Sequence, residues 1–398
     1  MVSVQEQYEA YPYPARDPAD EAKRLITGSP SHPLEIDHWL FAGRRDWSKP
    51  FRALVAGGGT GDGLIQLAQV LTSEHVPHEI TYVDLSRAAR DIAEARAEAR
   101  GLTNITFVTG SLLDAADHGQ FDYVDCCGVL HHLPQPEAGF AALRAALAPG
   151  GGLGFMVYAP YGRSGVYPLQ EAFGALFEGL PPQDRLARAK AIVGTLPEGH
   201  PFQANVNLGD HHASDAGFYD LLLHGQDRAY SVSDLLDTLG KTGWRLQGFA
   251  TPALYDLSRI AKRPSDMDDA QAMAIAEKLR GAIRVHVAYA VPSEDTRKPA
   301  RGPTPSLVPH LRGTQAPALA KHVAQGKPLP LSLKELKTQI HLPKETAPLI
   351  AGINGQRNLG EIAAGAGLDP FRFAALWGKL ERELVDWGLT LYSGLGKS

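Results

Sequence analysis

Three glycines at every second position, Gly57, Gly59 and Gly61, sit in the stretch FRALVAGGGTGDG that spans residues 51 to 63. Glycine has no Cβ, so such a turn can take left-handed backbone angles and let a ligand lie against the main chain. At the end of a first parallel strand, this is where open α/β sheets bind cofactors. The dinucleotide fingerprint needs a glycine three residues beyond its second one. Counted from Gly57 and Gly59, that position holds Asp62. Asp84 closes the next apolar run, 23 positions after Gly61, and a carboxylate there can accept both hydroxyl hydrogens of a ribose. A competing reading makes Asp84 the cap of a helix that starts near Ser86. His131 and His132 are adjacent, and His224, Asp227, Arg228 and Tyr230 form a later polar group. These residue types contact an acceptor or take its proton. Asp227 and Arg228 also read as a turn before a helix capped by Ser231 or Ser233. No third ligand stands at a recognised spacing from the histidine pair, so no metal is expected.

The elements that would position these groups alternate. Ala53 to Ala56, Glu79 to Asp84, Ile105 to Val108, Tyr123 to Cys127 and Leu153 to Tyr158 read as short buried strands. Leu64 to Leu71, Arg87 to Arg100 and Glu137 to Leu147 read as the helices between them, the last stopped by Pro149 and glycines 150 to 152. Such alternation predicts an α/β, Rossmann-like fold, a parallel sheet covered on both faces. Residues 165 to 240 read as a helical insertion placed over the site. Trp244 to Phe249 and Val285 to Val291 follow as a closing strand pair. From Pro292 to Pro330 the chain holds eight prolines, a linker-like composition. Beyond it, Leu333 to Gln339, Lys344 to Ile353, Leu359 to Ala366 and Pro370 to Trp387 read as helices, and Gly388 to Tyr392 as a strand. This gives a division into residues 1–291, a linker 292–330 and a small winged-helix-like module 331–398.

Residues 4 to 290 resemble bacterial class I S-adenosylmethionine-dependent methyltransferases. The resemblance rests on QYEAYPYP (Gln7 to Pro14), the glycine turn, FDYVDCCGVLHHL (Phe121 to Leu133), MVYAPYGRSG (Met156 to Gly165) and DLLLHGQDRAYSVSDL (Asp220 to Leu235). Bacterial protein-lysine methyltransferases are similar more loosely. The resemblance implies S-adenosylmethionine as cofactor, with Gly57, Gly59, Gly61, Asp84 and Leu85 around it. It also implies Ser111 and Leu112 at the adenine, and Gly128 and Val129 at the methionine portion. His131 and His132 would stand at the mouth of the cleft, and Tyr8, Tyr11 and Tyr13 could close over the cofactor. His131, His132, His224 and Tyr230 are the candidates to act on the acceptor. One departure is that Val55 or Ala56 replaces the acidic residue common in the first strand of the group.

The formal net charge of -5 argues against broad nucleic-acid binding. Cys126 and Cys127 are the only cysteines; adjacent, they form no disulfide framework and suit a reducing cytoplasm. No apolar run reaches the length of a membrane span, and the first residues lack a secretory pattern. The expected activity is direct methyl displacement onto an unidentified acceptor, with a protein side chain favoured over a small molecule. An NAD-dependent oxidoreductase and a non-catalytic cofactor-binding scaffold are the alternatives from other classes. The C-terminal helix from Phe371 to Leu384 mixes both charge signs, which points to partner contact or a homodimer rather than to DNA reading.

Overall fold

The computed structural model describes residues 4–396. Five short apolar segments become parallel strands: β1 (Phe51–Ala56), β2 (His78–Asp84), β3 (Ile105–Thr109), β4 (Phe121–Cys127) and β5 (Leu147–Tyr158). With β6 (Trp244–Phe249) and β7 (Val285–Pro292) they form one seven-stranded sheet, in the order β3-β2-β1-β4-β5-β7-β6. Only β7 runs against its neighbours. The order reverses between β1 and β4, so the connections leaving these two strands go to opposite sides. That opens a crevice at their carboxyl ends.

Period-two alternation assigns the strand side chains to two cores. Ala53, Val55, Ile80, Tyr82 and Tyr123 pack against α2 (Pro33–Leu40), α3 (Asp62–Ser73) and α4 (Arg87–Ala99), which follow the short N-terminal α1 (Val4–Ala10). Leu54, Val124, Phe155 and Ala288 pack against Phe140 and Leu143 of α5 (Pro136–Ala145). The glycine run 150 to 152, expected to end a helix, lies inside β5, where the pairing with β4 shifts register between Phe121 and Tyr123.

Between β5 and β6 the chain leaves the sheet. Helices α6 (Val166–Leu176), α7 (Pro182–Val193), α8 (Asp210–Ala213) and α9 (Asp215–Leu222) bury Leu169, Phe173, Leu186, Phe218 and Leu222 in a core of their own. The next helix, α10 (Val232–Lys241), sends Leu235 and Leu239 back into the sheet core. The insertion proper therefore ends before residue 232. A Ser231–Asp234 capping box starts α10, and α11 (Asp269–Arg280) completes this part.

The stretch 292–330 is not a linker. It contains β8 (Pro309–Leu311), α12 (Ala316–Ala324) and the start of β9 (Leu329–Ser332), and it buries Leu307, Val308, Leu319 and Val323. Proline is tolerated here because Pro309 opens a two-stranded edge pair and Pro330 lies in another. Nor is 333–339 a helix: β10 (Lys337–Ile340) turns back on β9. Helices α13 (Ala347–Ala351), α14 (Leu359–Gly365) and α15 (Pro370–Leu384) follow, and β11 (Thr390–Tyr392) pairs antiparallel with β8. Leu349, Trp377 and Leu384 belong to the same apolar cluster as Leu54 and Trp244. The tail is pinned to α2: Ser393 Oγ donates to Asp37 Oδ2 at 2.6 Å, and the Tyr392 amide to His38 Nδ1 at 3.2 Å. No described helix is long and apolar enough to cross a membrane.

Candidate functional site

The turn after β1 is shaped by what touches its glycines. Gly57 (φ +74°) and Gly59 (φ +52°) are left-handed, where a side chain is strained. A Cβ on Gly57 would stand 2.5 Å from Val129 Cγ2, and one on Gly59 would stand 2.8 Å from the Tyr13 carbonyl oxygen. Gly61 faces Ala93 of α4 and caps α3 without a side-chain hydrogen bond. Asp84, half-buried at the end of β2, accepts the Gly59 amide on Oδ2 and the Ser86 amide on Oδ1, each at 2.8 Å. Burial raises its carboxyl above the ordinary value, and those two bonds oppose the rise. The cap of α4 is Ser86 itself, whose Oγ accepts the Ala89 amide at 3.1 Å. Each Asp84 oxygen keeps a lone pair, so the carboxylate can still accept a diol. Leu85 beside it is exposed. Gly128 (φ +81°) follows β4 and holds its amide on the Met156 carbonyl at 3.0 Å, which directs Val129 onto Gly57.

The N-terminal segment straps this crevice. The Tyr8 carbonyl accepts Ser86 Oγ at 3.3 Å, and the Pro14 carbonyl accepts Thr60 Oγ1 at 2.7 Å. Arg16 grips Asp62 with two bonds of 2.8 and 2.6 Å. Fully buried Arg96 ties Asp62 to Glu21 and to the Thr60 carbonyl. Tyr13 therefore lies over Gly59, whereas Tyr11 stacks on Tyr219 of α9, with centroids 5.1 Å apart. Tyr11 thus joins strap to insertion and does not sit at the turn.

A buried polar cluster lies where strap, sheet and insertion meet. Gln226 clamps two histidines. Its carbonyl accepts His132 Nδ1–H at 2.9 Å, and its amide donates to His224 Nδ1 at 3.1 Å. His132 consequently offers a lone pair at Nε2, while neutral His224 carries its proton there. The two rings stack 3.7 Å apart. His131 lies 4.0 Å from the His132 ring and 3.9 Å from that of Tyr158. Burial, with His132 and Arg163 nearby, holds His131 well below the ordinary imidazole range. Asp220 accepts the Tyr8 hydroxyl at 3.0 Å and the Tyr158 hydroxyl at 2.8 Å. Asp227 Oδ2 accepts Arg163 Nη2 at 3.3 Å and Gln170 Nε2 at 3.0 Å. Arg163 also covers the Tyr158 ring at 3.6 Å.

A cavity of about 400 Å³ reaches this cluster through the insertion. His224 and Asp227 line it together with Tyr167, Gln170, Glu171 and Arg185. It does not lie over the glycine turn, which the strap covers.

The fold brings His131, His132 and His224 together but leaves Tyr230 apart. Tyr230 is fully buried in the main apolar core, its ring in contact with none of the histidines, and only its main chain bonds Tyr158. Its aromatic body packs as a core residue does. Leu112 is likewise buried in that core, near Gly139, and its neighbour Leu113 is the exposed one. Ser111 caps the turn that follows, its Oγ accepting the Leu113 amide at 3.1 Å. Tyr158, Arg163 and Asp220 belong to the cluster; they lie in segments that carry the resemblance, but no residue pattern there singles them out as site groups. Asp125 in β4 is the other unforeseen group, a carboxyl only 2% exposed and bonded by Tyr123.

Residues 54–153 match the family described as a methyltransferase domain. This segment is a methyltransferase domain. Its sheet is the class I methyltransferase sheet. The methyltransferase domain holds the glycine turn, Asp84 and the histidine pair, and it ends inside β5. An uncharacterized protein of Synechococcus sp. is 32% identical over 260 residues, covering 64% of this chain and 61% of that protein. A ubiquinone biosynthesis O-methyltransferase of Azoarcus sp. is 31% identical over 141 residues, 35% of this chain and 55% of that one. The chain thus spans less than two thirds of these relatives. PKMT2 from Rickettsia typhi, also solved in complex with AdoHcy, shares the fold beyond the methyltransferase domain. Its TM-score is 0.61 at 15% identity, over 93% of this chain and 77% of that one.

Proposed function

We propose that this chain is an S-adenosylmethionine-dependent methyltransferase that transfers the methyl group by direct displacement. The observation that carries it is the pairing of Gly59 with Asp84 at the switch point of a methyltransferase sheet. Gly57 and Gly59 leave no room for a Cβ, and Asp84 keeps acceptor capacity for a ribose diol. The residues present therefore fit the cofactor. Bound S-adenosylmethionine supplies a sulfonium methyl that is already electrophilic. The protein's task is then orientation. The strap from Tyr8 to Arg16 closes the crevice to water, and Tyr8 and Tyr158 fix Asp220 at its edge. An acceptor that enters by the cavity meets His224 and Asp227, which line it.

The favoured acceptor is a protein side chain. Supporting this, the fold likeness to PKMT2, a protein-lysine methyltransferase, runs through the C-terminal unit as well as the sheet. The second reading is a small molecule. Supporting that one are the cavity of about 400 Å³ and the similarity to an O-methyltransferase of ubiquinone biosynthesis. The free cysteines, one buried and one exposed, suit a cytoplasmic setting. Isothermal titration with S-adenosylmethionine against NAD tests the cofactor, and binding of NAD alone would overturn the reading. Tritiated methyl transfer into a lysate separates the acceptors by fraction: label in protein supports the first, and label in small molecules the second.

A further inference from the structure

We propose that His131, His132 and Asp227 form a binding site for a divalent transition metal of the zinc class. Each offers one ligand atom, and the three atoms lie within 4.8 Å of one another. Both ring nitrogens of His131, Nε2 of His132 and Oδ1 of Asp227 are buried and have no hydrogen-bond partner. Buried acceptors left unpaired are costly, and the convergence of one imidazole nitrogen from each histidine with a carboxylate oxygen calls for a ligand that takes lone pairs.

Groups that would orient these ligands are already in place. His132 donates Nδ1–H to the Gln226 carbonyl, the arrangement that fixes a metal-binding tautomer. Asp227 is anchored through its other oxygen by Arg163 and Gln170.

A neighbouring trio, His132, Asp220 and His224, also meets the distance condition, but its lone pairs are spent. His224 accepts the Gln226 amide at Nδ1, so its Nε2 bears the proton, and both Asp220 oxygens hold tyrosine hydroxyls. Two imidazoles, one carboxylate and an open position suit zinc and its transition-metal neighbours rather than magnesium or calcium. Asp227 also lines the cavity, the side from which an ion would enter. This site does not depend on the methyl-transfer reading.

The test is zinc titration of the untagged, chelator-stripped full chain without cofactor, in competition with a chromophoric chelator, paired with the visible spectrum of the cobalt(II) form. One metal per chain is expected. His132→Gln and Asp227→Asn should each weaken zinc by at least about tenfold, and His224→Gln should leave it unchanged. Where a variant does not fold, the cobalt d–d bands of the native chain decide, and their absence overturns the site. So does zinc binding that survives both ligand changes, as capture by the surface pair His211 and His212 would, or binding lost only with His224.

Discussion

Asp125 is a carboxyl that the fold keeps dry. Burial pushes it up to about 6, against hydrogen bonds from Ser31 and Tyr123. Its unfolded value is near the ordinary ~3.9, so the folded chain prefers the protonated form. That preference stabilises fully below about pH 4 and is lost as pH rises through about 6. The difference of about 2 units amounts to about 3 kcal/mol. Asp125→Asn should therefore flatten the fall in stability between pH 4 and 7, and the variant should outlast the native chain in urea at neutral pH. An identical pH slope in both proteins would show that Asp125 is solvated. At the cofactor end, Asp84→Ala should weaken S-adenosylmethionine by roughly 1.5–3 kcal/mol, the scale of a hydrogen bond to a charged group. Calorimetry on a variant with an unchanged melting curve measures this. Undiminished affinity removes Asp84 from the site.

At the level of elements, the contact between the turn after β1 and the loop after β4 sets the crevice width. Gly57→Ala places a methyl 2.5 Å from Val129 Cγ2 at a φ of +74°. The backbone cost alone is about 1–2 kcal/mol, and the collision adds to it. Removing the obstacle with Val129→Ala should return the collision part but not the backbone part. A double-mutant cycle by urea denaturation should give a coupling of roughly 0.5–3 kcal/mol; strict additivity would mean the two loops do not touch. Local pattern made these loops legible, since the glycine spacing and the VLHHL segment directly follow the strands that carry them. The same logic failed at Leu333 to Gln339. The segment reads as a helix, but Leu329–Ser332 offers an antiparallel partner, and pairing overrides propensity.

Across the whole molecule, the C-terminal unit and the sheet fold as one body. β11 completes a pair with β8, Trp377 Nε1 donates to the Tyr392 hydroxyl at 2.7 Å, and Ser393 and Gly394 both bond Asp37. Arg312 meets Glu35 of α2 in the same region. Deleting residues 331–398 would expose one side of the main apolar cluster and take the Ser393 and Gly394 donors from the buried Asp37 carboxylate, leaving it Arg45 and Trp47. The truncated chain should fail to give a cooperative thermal transition by near-ultraviolet circular dichroism. A folded truncation that still binds S-adenosylmethionine would show two separable units instead.

By itself, the sequence determined the alternating sheet, the glycine turn with Asp84 and the histidine pair. Each of these is specified within one strand and its adjoining loop, where period, glycine placement and residue type speak directly. Tertiary structure alone decided which groups surround the histidines. Tyr8, Tyr158, Arg163, Asp220 and Asp227 come from the strap, the end of β5 and the insertion, and no local spacing encodes their meeting. It also decided that the proline-rich stretch is core rather than tether. Proline content reports backbone stiffness, whereas burial depends on the apolar surface that Leu307, Leu319 and Val323 find across the fold.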